Sequence, residues 1–544
     1  MMFKKFTFLF LFLVQFVQSQ NTVGTISMTD EVFDGYTLFS ADTKTYLINN
    51  CGQVMNTWTS NFTPGNSVYL LPNGNLLRTG KEDGKSDIIF GGQGGIVELF
   101  NWDGEIIWSY SFNSNLERQH HDIYPMPNGH ILILLAEVWS KEEAISQGRD
   151  SSKIAEERLY SEKILEVKPI GTDEIEVIWE WNIKDHIIQD FDDTKQNFGD
   201  VAKSPEKLDI NFLNGGNGSA NWLHINSIQY DEQRNQIVLS SRNLSEIWII
   251  DHSTTTVEAA SNSGGMYNKG GDLLYRWGNP QSYRQGTEVN RKLFGQHYPY
   301  YIEQGLRNAG DLILFNNGNG RDPDFSEVFI LELPETNGVF SYTEDTAFGP
   351  ENPIYEYSQF QEGEISNFYS PILSGAQVLP NGNILICEGS KGNFFEINSD
   401  DEIVWNYINP FNSIVKQATN QGEEPKGNNV FRAHKYAKDY AAFTDRILMP
   451  NDPIELNFNL NICNSLSTET IDFRDDLVIY PNPSANIFTL NKVVENIGIY
   501  NNLGKKVLEL HQENQIDLAL FTTGIYFAKI NHKGSLVVKK LIKN

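Results

Sequence analysis

The stretch SGAQVLPNGNILICEGSKGNFFEINSDDEIVWNYINP, residues 374–410, decides the fold. Apolar and polar residues alternate on both sides of Asn381-Gly382, a dipeptide that tolerates positive φ and so closes a tight hairpin. A second pair of strand-like runs follows and ends in Trp405 and Tyr407, two aromatics on one face of a strand. Four short strands bury no face by themselves, so the unit needs copies beside it.

The copies are present. First pairs read VYLLPNGNLLRTG (68–80), HHDIYPMPNGHILILL (120–135), NWLHINSIQYDEQRNQIVLSSRN (221–243) and HYPYYIEQGLRNAGDLILFNNG (297–318). Second pairs follow each, and their outer strands end in Trp108/Tyr110, Trp179/Trp181, Tyr275/Trp277 and Tyr355/Tyr357. A further unit is divided between the two ends of the repeat region: residues 37–60 supply its later strands and NNVFRAHKYA (428–437) a missing first strand. Sharing one sheet between the ends closes a ring and removes exposed edges. The expected fold is all-β, a six-bladed β-propeller over residues 25–450 followed by a small C-terminal β-sandwich. Two insertions, helix-like 138–160 and polar 184–220, leave five or seven blades as alternatives.

A net charge of −28 over 544 residues excludes a nucleic-acid binder, which needs clustered Lys and Arg. It also repels anionic substrates at long range, so an anion site must rely on local cations. The N-terminus MMFKKFTFLFLFLVQFVQSQ sets Lys4 and Lys5 before an apolar run from Phe6 to Val17. That is the layout of a signal peptide over residues 1–20, too short for a membrane span, and it implies export. Cys51, Cys387 and Cys463 cannot all pair with one another, and none has metal-site spacing.

The placement of the histidines carries the chemistry. His120/His121, His224, His297 and His434 lie near the starts of expected first strands in four different units. In a propeller those strands line the central channel, and their equivalent ends converge on one mouth. The midpoint of 224 and 242 falls in the turn DEQRN, so Arg242 should face His224 across its hairpin. Arg321 follows the 297–318 hairpin in the same way. His130, His186, His252, His511 and His532 fall in turns, insertions or the C-terminal segment and are expected to be solvated. Metal binding is disfavoured, because only Asp122 offers a nearby carboxylate. Imidazoles beside a guanidinium suit different chemistry, in which the donors hold a tetrahedral oxyanion while one ring nitrogen attacks it.

These elements resemble the bacterial aryl-sulfate sulfotransferases, six-bladed propellers with a histidine-lined central site. The resemblance covers about residues 30–440 and is strongest at NWLHINSIQYDEQRNQIVLSSRN, with HHDIYPMPNGH and FGQHYPYYI as its upstream and downstream histidine elements. It implies that His297 takes the sulfuryl group as a transient sulfohistidine, and that His224 and Arg242 hold the sulfate oxygens. It implies that His120 or His121 binds sulfate or protonates the leaving phenoxide, the paired spelling leaving both open. Asn226, two residues past His224 and so on the same strand face, would orient or donate. His434, Arg432 and Arg321 match no catalytic position of the family and are kept as candidate substrate-binding residues of the channel. The implied reaction moves a sulfuryl group from a phenolic ester to a phenolic acceptor by ping-pong exchange, with no nucleotide donor, cofactor or metal. Some family members dimerise through a separate N-terminal β domain, so the oligomeric state does not carry over.

Past a polar linker (451–476), YPNPS, IYNNLGKKV and GIYFAKI within 477–544 resemble the C-terminal sorting domain of type IX secretion substrates. That implies passage through this machinery and release or attachment at the cell surface. Among rival readings, a formylglycine sulfatase is excluded because no cysteine opens a Cys-x-Pro/Ala-x-Arg motif. A quinone-dependent dehydrogenase lacks its vicinal cysteines. The remaining alternative is a non-catalytic secreted propeller that binds a partner.

Overall fold

The computed structural model describes residues 21–361, 366–466, 477–501, 504–532 and 535–544; the expected leader lies outside them. Among the described residues, strands dominate and helices are short. Six antiparallel sheets of four or five strands succeed one another before the C-terminal segment. The second comprises Pro64–Leu70, Leu76–Lys81, Gly95–Phe100 and Ile106–Ser111, and the third Glu117–Pro125, Ile131–Ser140, Arg158–Ile170 and Glu174–Asn182. The fourth comprises Ile225–Asp231, Gln236–Ser241, Glu246–Asp251 and Tyr275–Trp277, and the fifth His297–Tyr301, Leu312–Asn316, Glu327–Leu331 and Tyr355–Tyr357. The sixth holds Gly375–Val378, Ile384–Glu388, Asn393–Ile397 and Ile403–Ile408. The first sheet draws on both ends of the repeat region: His434–Ala437 pairs with Gly35–Ala41, placing Leu38 opposite His434, and Lys44–Asn49 and Val54–Thr59 complete it.

Tryptophans on the outer strands knit each sheet to the next. Indole N–H groups donate from Trp58 to the Asn101 carbonyl (2.9 Å), from Trp108 to Glu174 (3.0 Å), from Trp181 to Gly271 (2.8 Å) and from Trp277 to Pro350 (2.7 Å). The Tyr355 hydroxyl donates to Asp401 (2.6 Å), and Trp405 donates to the Asn50 carbonyl (2.8 Å), which returns the series to the first sheet. A buried indole N–H needs an acceptor, which explains why the paired aromatics end these strands. Aliphatic side chains such as Leu134, Ile228 and Leu239 fill the space between sheets, each contributing about 1.5–3 kcal/mol on burial.

On the inner side, Ile225–Asp231 packs on Glu117–Pro125 and on His297–Tyr301, which packs in turn on Gly375–Val378. Gln377 and Lys435 exchange side-chain–backbone hydrogen bonds of 3.0 and 2.8 Å between the sixth sheet and the first.

Three features depart from the sequence pattern. Gly24–Met28 adds a fifth strand to the sixth sheet and covers its edge. The helix-like insertion 138–160 forms the short Lys141–Ser146 helix, started by a Ser140–Glu143 capping box, and one 3-10 turn, Ser151–Lys153. The expected linker is docked over its first part: Cys463 forms a disulfide with Cys51, while Cys387 is buried and free. The C-terminal segment builds a separate core around Phe488, Leu490, Ile497 and Ile516. Its long strand Ile487–Asn501 pairs with Ile479–Tyr480, Lys506–Asp517 and Gly524–His532, with its register shifting between Thr489 and Val494.

Candidate active site

A repeated backbone irregularity positions the histidines. Register shifts occur where His120–Asp122 leave the ladder, between Ile225 and Ser227, and between His297 and Tyr300. At those places His121, His224 and Tyr298 take φ values of 51°, 52° and 55°. Such bulges re-aim a side chain at a strain of roughly 1–3 kcal/mol per non-glycine residue in the left-handed region. The alternation of faces breaks there. His120 and His121, neighbours that a regular strand would point apart, bring their Nδ1 atoms to 2.9 Å.

Three imidazoles from three sheets gather under two aromatic rings. His121 and His224 stand edge to face at 4.5 Å between ring centres. Phe90 stacks on His121 (6.2 Å) and lies 5.7 Å from His224, while Phe431 lies 6.4 Å from both His121 and His297. Gly92 fits over His121: its carbonyl accepts the His121 backbone N–H at 2.7 Å, and a Cβ on Gly92 would collide with the imidazole at Nε2. His120 sits behind, against Phe90 at 5.0 Å and with Nε2 4.0 Å from Glu162.

The hydrogen bonds assign the ring nitrogens. His297 Nδ1 lies 2.7 Å from Asn317 Oδ1 and 3.1 Å from the Gly295 carbonyl. The Asn317 amide donates to the carbonyls of Ser370 (2.7 Å) and Leu373 (2.9 Å), so its oxygen must accept. His297 therefore carries its proton on Nδ1 and a lone pair on Nε2. Asn221 Nδ2 lies 2.5 Å from His224 Nδ1; with the amide donating, that ring's proton sits on Nε2. With Asn221 donating, the two rings take opposite tautomers, one an acceptor and the other a donor at its open edge.

Burial and then the Arg242 guanidinium hold His297 down to about 3. Burial also pushes His224 and His121 well below the usual range, aided next by Arg242 and His224 respectively. All three are neutral at pH 7. Arg242 donates its backbone N–H to the His224 carbonyl at 3.1 Å, the cross-hairpin neighbour expected. Among the described residues no carboxylate pairs with its guanidinium, whose one side-chain hydrogen bond runs to Asn243 at 3.4 Å. An uncompensated cation beside neutral imidazoles has the chemistry to suit an anion.

Other candidates stand elsewhere. Arg321 binds Glu327 (2.7 Å) and the Phe325 carbonyl (2.6 Å), so its charge is neutralised within its own sheet and none of these bonds reaches the histidines. His434 packs against Tyr69 (5.3 Å) and Tyr298 (5.7 Å), in a separate cluster where Arg432 binds Asp122 (2.8 Å) and the Tyr69 hydroxyl (3.1 Å). Asn226 does not share the His224 surroundings, because the bulge intervenes; its amide donates to the Gln296 carbonyl at 2.8 Å and so braces the residue before His297. Three histidines expected in solvent are held instead. His186 is buried between Asp272 and the Ala259 carbonyl, both at 2.8 Å, and Glu166 bridges His130 (2.5 Å) and His252 (2.9 Å). Among the described residues no His, Cys, Asp and Glu group has a metal-binding arrangement.

Asn317, Glu162, Phe90 and Phe431 do not stand out in the sequence. Asn317 had a signal: it directly follows the second strand of its sheet, as Arg242 does.

Fold and site together define a β-sheet protein with a buried histidine cluster beside an unpaired guanidinium, and comparison with known proteins gives its family. The model of the Arylsulfotransferase (ASST) family matches residues 39–433, and the chain belongs to that family. A secretion system C-terminal sorting domain matches residues 478–544, which marks the chain for export and for release or attachment at the cell surface. The arylsulfate sulfotransferase of Lelliottia amnigena is 26% identical over 186 residues, a match spanning 34% of this chain and 30% of that protein. Among solved structures, a protein of unknown function from Bacteroides caccae shares 12% identity over 74% of this chain and 98% of its own (TM-score 0.38). The periplasmic gluconolactonase of Pseudomonas aeruginosa shares 8% over 94% and 99% (TM-score 0.35).

Proposed function

We propose that the chain is an aryl-sulfate sulfotransferase that passes a sulfuryl group from a phenolic ester to a phenolic acceptor through a sulfohistidine at His297. The six sheets are the blades of a β-propeller over residues 25–450, residues 451–476 link it to a β-sandwich over 477–544, and type IX machinery handles the latter. One observation carries the reading. Asn317 commits the His297 proton to Nδ1 and leaves the Nε2 lone pair beside a guanidinium that no described carboxylate neutralises.

In the donor half-reaction Nε2 of His297 attacks sulfur and the bond from sulfur to the aryl oxygen breaks. Arg242 and the Nε2–H of His224 hold the equatorial oxygens, where charge accumulates in a loose transition state. His121 hands a proton to the departing phenoxide. A second phenol then attacks the sulfohistidine in the reverse sequence, which makes the kinetics ping-pong. Phe90 and Phe431 supply the apolar walls that exclude water.

The test is release of 4-nitrophenol from 4-nitrophenyl sulfate, with and without added phenol. Phenol-dependent release is expected, with phenyl sulfate as product, and His297→Ala should abolish it. Undiminished transfer by that variant would dismiss the nucleophile, and no transfer by the wild-type protein would favour a binding module.

A further inference from the structure

We infer that Glu162 and His120 form a proton relay behind His121, supplying the proton that His121 gives to the leaving phenoxide; this rests on the sulfuryl-transfer reading above. Glu162 is buried in Arg158–Ile170, and the Ile225 N–H donates to its two carboxyl oxygens at 3.1 and 3.0 Å. Among the described residues neither Lys nor Arg pairs with it. Burial raises its pKa well above the ordinary range, which favours the protonated carboxyl. Its Oε2 lies 4.0 Å from His120 Nε2, a sealed nitrogen with no hydrogen-bond partner. The opposite edge of the same ring meets His121 Nδ1 at 2.9 Å. Two facing ring nitrogens form a hydrogen bond only when one carries the proton and the other does not. A shift of about 1 Å brings Glu162 within hydrogen-bond reach of His120 and completes the line.

The relay balances in both half-reactions. As the bond from sulfur to the aryl oxygen breaks and the S–Nε2 bond to His297 forms, the phenoxide takes the proton on His121 Nε2. His121 Nδ1 then receives the proton of His120 Nδ1, and His120 Nε2 receives the carboxyl proton. Both imidazoles stay neutral and exchange tautomers. Glu162 ends as the carboxylate, steadied by the Ile225 N–H and by the new His120 N–H. When the acceptor phenol attacks, its proton enters at His121 Nε2 and the three transfers run backwards, which restores Glu162. A two-stage exchange needs such a store, because the proton must wait while one phenol leaves and another arrives.

Glu162→Gln keeps an acceptor for Ile225 but has no proton to give, and His120→Asn keeps a donor near His121 Nδ1 but cuts the line. The readout is kcat/KM for donors with leaving phenols of increasing pKa, from 4-nitrophenyl through phenyl to 4-methoxyphenyl sulfate. General acid catalysis contributes roughly 10²–10⁴. Each variant should therefore lose about a hundredfold or more with phenyl sulfate and under about tenfold with 4-nitrophenyl sulfate. The double variant should show no steeper dependence than either single one. A loss independent of leaving-group pKa, or no loss, overturns the relay and leaves both residues a packing role. Absence of transfer from every donor by the wild-type protein overturns the underlying reading instead.

Discussion

Replacing Asn317 with alanine tests whether one amide sets the nucleophile. The buried side chain makes three hydrogen bonds, two outward to the Ser370 and Leu373 carbonyls and one received from His297. Orphaning the buried Ser370 carbonyl and the part-buried Leu373 carbonyl costs about 1–3 kcal/mol each, so a stability loss of about 2–6 kcal/mol is expected in thermal or urea unfolding. The effect on rate is separate. His297 keeps only the longer contact to Gly295, 3.1 Å against 2.7 Å, so the lone pair on Nε2 loses about 1–2 kcal/mol of preference over the other tautomer. With the added freedom of the ring, kcat/KM for 4-nitrophenyl sulfate should fall roughly 10- to 100-fold. The assay is 4-nitrophenol release at saturating phenol, on protein verified as folded, with the His297 tautomer followed by its ¹⁵N shifts. A folded variant that retains kcat/KM within about twofold, or whose His297 keeps its proton on Nδ1 throughout, would refute the argument.

Arg242→Met should cost about 3 kcal/mol in kcat/KM, a few hundredfold, as loss of an oxyanion donor does; Arg321→Met, which breaks the Glu327 pair, should lower stability and change kcat/KM far less. Gly92→Ala drives a Cβ into the His121 imidazole at a residue whose φ is 83°, so activity should fall sharply while far-ultraviolet circular dichroism stays unchanged. The pH dependence has a definite sign. His297 is depressed to about 3, acid protonates the attacking nitrogen, and activity disappears only as pH falls toward that value. On the acid side the kcat/KM profile should stay flat down to about pH 5, whereas an acid limb near the ordinary imidazole value of about 6.5 would contradict it.

The hairpins were legible because Asn-Gly turns and alternating runs are local signals. So was the meeting of His224 with Arg242, since pairing across a hairpin follows from counting. What escaped was set by non-local or irregular geometry. The sequence offers no sign that His121, His224 and Tyr298 adopt positive φ, a region that propensity assigns to glycine or asparagine. Without those bulges, His120 and His121 belong on opposite faces and Asn226 beside His224, and the structure departs from both. His434 begins its strand as the others do, but Arg432, Asp122 and the tyrosines hold it in a different cluster. The role of Asn317 lay hidden in a turn-like spelling, NNGNG, because its value depends on two carbonyls more than fifty residues away.

The bridge between Cys51 and Cys463 spans 412 residues. Its thiols meet only after almost the whole chain has wound around and the returning end has reached the sheet where it began. Oxidation at this pair thus acts as a covalent mark that two segments far apart in sequence have met, with the sheets between them enclosed in one loop. Once the latch is shut, separating the strands of the shared first sheet no longer frees the segments that flank it, and the oxidising surroundings of an exported protein preserve that crosslink.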